Sequence, residues 1–150
     1  MIMDYKDIVL YEPALMLKEL GFDEPCFGNY RKVQVTDYVT GDSSESTIYF
    51  DMMKFSMNYN EHNSECDASA PTFSQAFRFF REKYNIQGYI YSSTVRGNAE
   101  KTKQFTGYIW NINGIDMPFL STDARDEFHD TYEEAELACL IKLIELVKTK

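Results

Sequence analysis

Apolar positions fall into two kinds of rhythm along this chain, a helical one in three places and a two-residue alternation in four. In "APTFSQAFRFFREKYNI" (70–86), Phe73, Ala76, Phe77, Phe80 and Tyr84 recur at i, i+3, i+4, i+7 and i+11. That spacing predicts a helix with one apolar face. Thr72 and Gln75 fit a capping box at its start. Arg78 and Arg81 lie together on one flank, outside the apolar stripe.

Two further helices are predicted. The first runs from about Glu12 to Leu20, with Pro13 suited to the first helical position, where its missing N–H has no partner. Gly21 can take the left-handed position after it, and Phe22 can then pack back on Leu17. The last helix opens at Thr131, which forms a second capping box with Glu134. Tyr132, Ala135, Cys139, Leu140, Leu143, Ile144, Leu146 and Val147 give it a broad apolar face.

Four segments alternate as strands do. "YRKVQVTDYV" (30–39) sets Val33, Val35 and Val39 on one face; "TIYFDMMKF" (47–55) sets Ile48, Phe50 and Met52 on one face. The polar "GDSSES" between them predicts a hairpin. "IQGYIYSSTV" and "KQFTGYIWNI" (86–95 and 103–112), joined by "RGNAE", predict a second hairpin. Tyr89 and Tyr91 oppose Ile86 and Ile90 by alternation, and Tyr108 and Trp110 oppose Phe105 and Ile109, so one side of that hairpin is expected to be aromatic. "DEPCFGN", "NYNEHNSECDASA" and "GIDMPFLSTDARDEFHD" read as turn or loop.

The expected order is therefore α-β-β-α-β-β-α. The expected fold is α+β in a single domain over 1–150, an antiparallel sheet of about four strands with helices packed mainly on one face. An αββ unit used twice with a closing helix would give the same order. The echo of Leu17-Lys18-Glu19 in Phe80-Arg81-Glu82 is its only visible trace.

Composition narrows the function classes. With 44% hydrophobic and 15% aromatic residues, the 150-residue chain can bury a core and is not a disordered one. No apolar run reaches membrane-spanning length, so no membrane partner is expected. The start, "MIMDYKDIVL", is interrupted by Asp4, Lys6 and Asp7 and does not read as a signal peptide, which points to the cytoplasm. Cys26, Cys66 and Cys139 are odd in number and widely spaced, so a disulfide framework is not expected, and Cys139 reads as a small buried residue.

The formal net charge is −9, which opposes general binding to duplex DNA. The charge is uneven, however. Between Thr72 and Tyr108, Arg78, Arg81, Lys83, Arg96, Lys101 and Lys103 face only Glu82 and Glu100, a local net of +4.

The phosphate-binding, dinucleotide-binding, nucleophile-elbow and zinc-protease motifs are all missing from the sequence, so a non-enzymatic protein without cofactor is expected. His62 and Cys66 have ligand-like spacing, with Glu61, Glu65 and Asp67 nearby, but too few His and Cys remain to complete a structural zinc set. Asp123, Asp126, Glu127 and Asp130 lack the order of a calcium loop and suit a solvated lead-in to a helix N-terminus.

"LMLKELGFDEPCFGNY", "APTFSQAFRFFREKYNI" and "YEEAELACLIKLIELVK" together resemble an uncharacterised family of small proteins from phages and prophage-like elements of gut Bacteroidetes. The resemblance rests on Lys18-Glu19-Leu20-Gly21-Phe22, Ala70-Pro71-Thr72, Arg81-Glu82 and Tyr132-Glu133-Glu134-Ala135. It covers the three helices and their flanks. Phe79-Phe80-Arg81 stands where that family typically carries a tryptophan. The resemblance implies a phage or mobile-element protein in the cytoplasm of a bacterial host and assigns no activity.

Two functions follow as expectations. The first is an accessory protein acting by protein–protein contact, its partner a host protein or a second copy of itself. The surface would be the aromatic patch, the acidic stretch from Asp116 to Asp130, or both. Charge mimicry against a nucleic-acid-binding host factor is one form this could take. The second is a single-stranded nucleic-acid binder, with Tyr89, Tyr91, Tyr108 and Trp110 stacking bases and Arg96, Lys101 and Lys103 holding phosphates. Exposure of the four aromatics as one patch separates the two.

Overall fold

The computed structural model describes residues 5–36, 43–62, 66–95, 105–114, 117–121 and 128–149. The chain is α+β with antiparallel sheets, in the order α1 (Tyr11–Glu19), β1 (Cys26–Thr36), β2 (Ser43–Met57), α2 (Tyr59–His62), β3 (Ala68–Ala70), α3 (Phe73–Tyr84), β4 (Ile86–Val95), β5 (Phe105–Gly114), β6 (Met117–Ser121) and α4 (Tyr132–Lys148). In place of one sheet of about four strands there are two three-stranded sheets, ordered β2-β1-β3 and β4-β5-β6. The described residues form two compact units, 1–76 and 77–150, the division falling within α3.

In the first unit, α1 ends as its sequence predicts. Gly21 sits at φ 82, its amide bonds to the Lys18 carbonyl, and the Phe22 amide bonds to the Leu17 carbonyl at 2.9 Å. This is the Schellman pattern, completed by burial of both Leu17 and Phe22. The helix starts slightly earlier than expected, with Leu10 as N-cap, which moves Pro13 to the third helical position, where a missing N–H still costs nothing.

β1 begins at Cys26, inside the segment read as a turn, and pairs antiparallel with β2 through Tyr30↔Phe50 and Lys32↔Ile48. The predicted hairpin is therefore present. Tyr30 anchors it: its hydroxyl donates to the Val9 carbonyl at 2.8 Å, and its ring meets Tyr11 edge-on and Phe50 at a tilt.

The described parts of the segment read as an irregular polar loop, 58–62 and 66–70, instead fold inward. Tyr59, Ala68, Ser69 and Ala70 are buried, and β3 pairs with β1 across Gly28–Tyr30. Asn60 holds it, donating to the Phe22 carbonyl at 2.7 Å and accepting from the Ser69 amide at 2.9 Å. Lys18 Nζ adds a bond to the Asp67 carbonyl at 2.7 Å. A three-residue strand of Ala-Ser-Ala has too little period or bulk to announce itself.

The capping box of α3 is present: the Gln75 amide donates to Thr72 Oγ1 at 3.2 Å and the Thr72 amide to Gln75 Oε1 at 3.0 Å. Phe73, Ala76 and Phe80 of the predicted stripe are buried, and so is Phe79, which meets Phe80 and Tyr84 edge-on. Arg78 and Arg81 are exposed.

In the second unit, β5 is central. β6 occupies the acidic segment read as loop; its Pro118 is compatible with a strand because β6 lies at the sheet edge. The third strand adds to the first strand of its hairpin in one sheet, β3 on β1, and to the second strand in the other, β6 on β5. α4 carries its predicted capping box at Thr131 and Glu134. It buries Ala135, Cys139, Leu140, Leu143 and Ile144, while Tyr132 at the end of the predicted face is exposed. Among the described residues no helix is long and apolar enough to cross a membrane.

Candidate interaction surface

Strands β4 and β5 pair in a register that sets Ile90 across from Trp110, Tyr91 across from Ile109 and Ser92 across from Tyr108. Residues directly opposite in an antiparallel pair project to the same face. Odd-numbered residues of β4 therefore share a face with odd-numbered residues of β5. Tyr89 and Tyr91 stand on one face of the sheet, and Tyr108 and Trp110 on the other. The single aromatic side expected of this hairpin does not form.

Helix contacts identify which face is which. A Cβ built on Gly88 would meet Cys139 Sγ of α4 and Cε1 of Phe77, and Tyr108 meets Tyr132 of α4 edge-on at 5.8 Å. The face of Gly88, Ile90, Tyr108, Trp110 and Ile112 is thus the one beneath α4. Trp110 is 8% exposed and Ile112 fully buried. Trp110 serves the core of this unit, and half-buried Tyr108 packs on the start of α4. Burial pushes the Cys139 thiol on the same face up to about 12, with Glu136 adding to it.

The opposite face carries Gln87, Tyr89 and Tyr91 from β4 and Ile109, Asn111 and Asn113 from β5. Tyr89 is 45% exposed and Tyr91 42%. Each hydroxyl is held by an amide neighbour: Tyr89 donates to Gln87 Oε1, and Tyr91 accepts from Asn111 Nδ2 at 3.0 Å. Asn111 Oδ1 is enclosed and has no hydrogen-bond partner. Ile109, directly across from Tyr91, is buried. At one end, Phe128 and the carbonyl of His129 close over Gly107, and His129 continues the sheet edge through paired main-chain bonds with Tyr108 at 2.9 Å.

Of the seven residues predicted to bind, Tyr89 and Tyr91 come together on an exposed face, Tyr108 and Trp110 turn away from it, and Arg96, Lys101 and Lys103 lie outside the described residues. Gln87 and Asn111 were missed. Amides on strands carry no signal alone, and only the pairing register sets them beside the tyrosines.

The candidate metal ligands also take ordinary roles where described. Cys66 Sγ donates to Asn29 Oδ1 at 3.0 Å, and the Asp67 carboxylate accepts from the Lys32 amide and the Tyr11 hydroxyl. Among the described residues no three His, Cys, Asp or Glu side chains gather as a metal site. Glu65, Asp116, Asp123, Asp126 and Glu127 lie outside the described residues. Comparison of the chain with protein-family models, with curated proteins and with solved structures finds no match to any of them.

Proposed function

We propose that this chain is a non-enzymatic accessory protein of phage or mobile-element type that acts by binding another protein, and that the Tyr89–Tyr91 face of the second sheet is its contact surface. The observation that carries the reading is the pair of exposed tyrosines, each held by an amide side chain, on the sheet face turned away from α4. Tyrosine offers a large, stiff contact area for little conformational entropy, and amides beside it supply adaptable hydrogen bonds. Tying the hydroxyls in advance lowers the ordering cost of binding. Gln87, Tyr89, Tyr91, Asn111 and Asn113 carry no charge. Such a face suits a protein partner better than a phosphate backbone, which calls for cations.

The test is affinity capture from bacterial host lysate with the wild-type chain, Tyr89→Ala and Tyr91→Ala in parallel. A partner retained by wild type at moderate salt and lost with either variant is the expected result. Capture of nothing, or of the same proteins by all three, overturns it. A labelled single-stranded oligonucleotide whose fluorescence anisotropy rises at micromolar protein and low salt would instead favour nucleic-acid binding.

A further inference from the structure

The geometry points to a second copy of this chain as the partner of the outer edge of β1, the two β1 strands pairing antiparallel about Gln34. This surface lies in the first unit and is independent of the Tyr89–Tyr91 face.

The edge is defined by where β3 stops. β3 covers β1 only across Gly28–Tyr30. The Tyr30 carbonyl accepts from the Asp67 amide at 2.8 Å, and the Lys32 amide donates to the Asp67 carboxylate, so the main chain of both residues points to the β3 side. Main-chain groups of alternate residues in a strand point to the same edge. Gln34 and Thr36 therefore present their N–H and C=O on this edge. Among the described residues no strand pairs with them there, while their other side is occupied by β2.

The hairpin at this level has both faces in water. Arg31 to Gln34 are all exposed, as are residues 46 to 49 of β2. Val33, Ile48 and Tyr49 are exposed at 36%, 44% and 44%. A two-stranded ribbon is marginal by itself, and an uncovered edge with apolar residues is a template for another strand. No proline guards β1, and the irregularity near its end places the extra residue, Ser44, on β2.

The register selects a like strand. A two-fold axis through Gln34 sets Gln34 against itself as a hydrogen-bonded pair, each amide donating to the other's carbonyl. Position 33 then faces position 35, and both carry valine. Within the hairpin those two positions face Thr47 and Glu45, so neither valine has an apolar residue opposite it. Position 32 faces position 36, which sets lysine against threonine and leaves the Lys32 carbonyl for the Thr36 amide, its own amide being engaged by Asp67. With the axis at Gln34 the central pair keeps both its bonds and only the outer Thr36 carbonyls face that engaged amide; an axis one residue earlier would put it against Gln34 in both pairs next to the axis, and an axis one residue later would set Val33 against Asp37.

Sedimentation equilibrium of the full chain over micromolar concentrations tests this, together with Gln34→Pro. Proline at 34 removes the outward N–H and leaves the β1–β2 ladder intact. Wild type should approach twice the 17.5 kDa chain mass, and Gln34→Pro should weaken self-association at least tenfold. Gln34→Cys supplies a readout that does not depend on the proline variant folding. Its two copies would lie with Cα atoms about 5.5 Å apart, close enough for a disulfide. Mild oxidation should link Gln34→Cys to itself. It should not link Lys32→Cys to itself, but should link Lys32→Cys to Thr36→Cys when the two are mixed. A chain that stays monomeric to about 100 μM, a regime of negligible affinity for a specific dimer, overturns the inference. So does a dimer that neither weakens with Gln34→Pro nor crosslinks in this register.

Discussion

Gly88 of β4 lies against Cys139 of α4, so close that a Cβ added to Gly88 would stand 2.6 Å from the Cys139 sulfur and 2.7 Å from Phe77 Cε1. Real Cβ atoms essentially never sit at such distances, and the nearer neighbour is a fully buried sulfur. The missing side chain is what lets α4 settle on the sheet. Gly88→Ala is expected to destabilise the protein by about 1–3 kcal/mol, the usual cost of overpacking. Cys139→Ala in the same chain should recover part of that loss, because the nearest clash goes. Urea unfolding of the two single variants and the double variant measures the coupling. Strict additivity would mean that the contact does not exist as described.

Alkaline pH probes the same core. Burial, with Glu24 beside one thiol and Glu136 beside the other, pushes Cys26 and Cys139 up to about 12, against 9.0 for an unperturbed thiol. Between those values the unfolded chain has released protons that the folded one retains. Stability is therefore full below pH 9 and falls as pH rises towards 12, by up to about 1.4 kcal/mol per pH unit for each thiol. The buried Tyr30 phenol, also raised by desolvation, acts in the same direction. Urea midpoints at pH 7, 8.5 and 10 should show the decline, and Cys139→Ala should make it shallower. Equal slopes in the two proteins would remove Cys139 from this account.

Trp110 and Tyr91 face opposite sides of one sheet, and their variants should separate stability from binding. Trp110→Ala opens a hole beneath α4 and should cost about 3–5 kcal/mol. Tyr91→Ala gives up a half-exposed ring and one hydrogen bond from Asn111, for about 1 kcal/mol or less. Thermal unfolding of the two variants measures both. A Tyr91→Ala chain as unstable as Trp110→Ala would place Tyr91 in a core and remove the basis for a contact surface there.

That division was not visible in the residues themselves. Tyr89, Tyr91, Tyr108 and Trp110 alternate as two half-buried strands should, and the alternation is present. What places them together or apart is whether the pairing joins odd positions to odd or odd to even, and a slip of one residue flips the whole strand. Local signals performed better where the physics is local. The capping boxes at Thr72 and Thr131 and the glycine ending at Gly21 are made by residues within a few positions of each other, and all three form. β3 and β6 escaped because neither has a periodicity of its own. Ala68–Ala70 is a strand only because β1 offers an edge, and Met117–Ser121 only because β5 does.

Asp67 governs where β1 stops being covered. Its amide and carbonyl bond to the Tyr30 carbonyl and Lys18 Nζ, and its carboxylate takes the Lys32 amide in place of a further strand residue. Asp67→Ala leaves the main-chain links in place and removes only the carboxylate, so the expected cost is about 1–2 kcal/mol, that of a hydrogen bond to a charged group. The effect should be local. Amide exchange at Lys32 should quicken, while Arg31, whose amide points to β2, should not respond. Tyr11 offers a second readout: burial raises its phenol pKa, and the Asp67 charge and hydrogen bond raise it further. In Asp67→Ala that pKa should fall towards its ordinary value without reaching it, because the burial remains. Hydrogen exchange followed residue by residue and an ultraviolet titration of tyrosine ionisation measure the two effects separately. Unchanged exchange at Lys32 would mean that the carboxylate does not terminate the sheet, and the open edge of β1 would then begin nearer Tyr30.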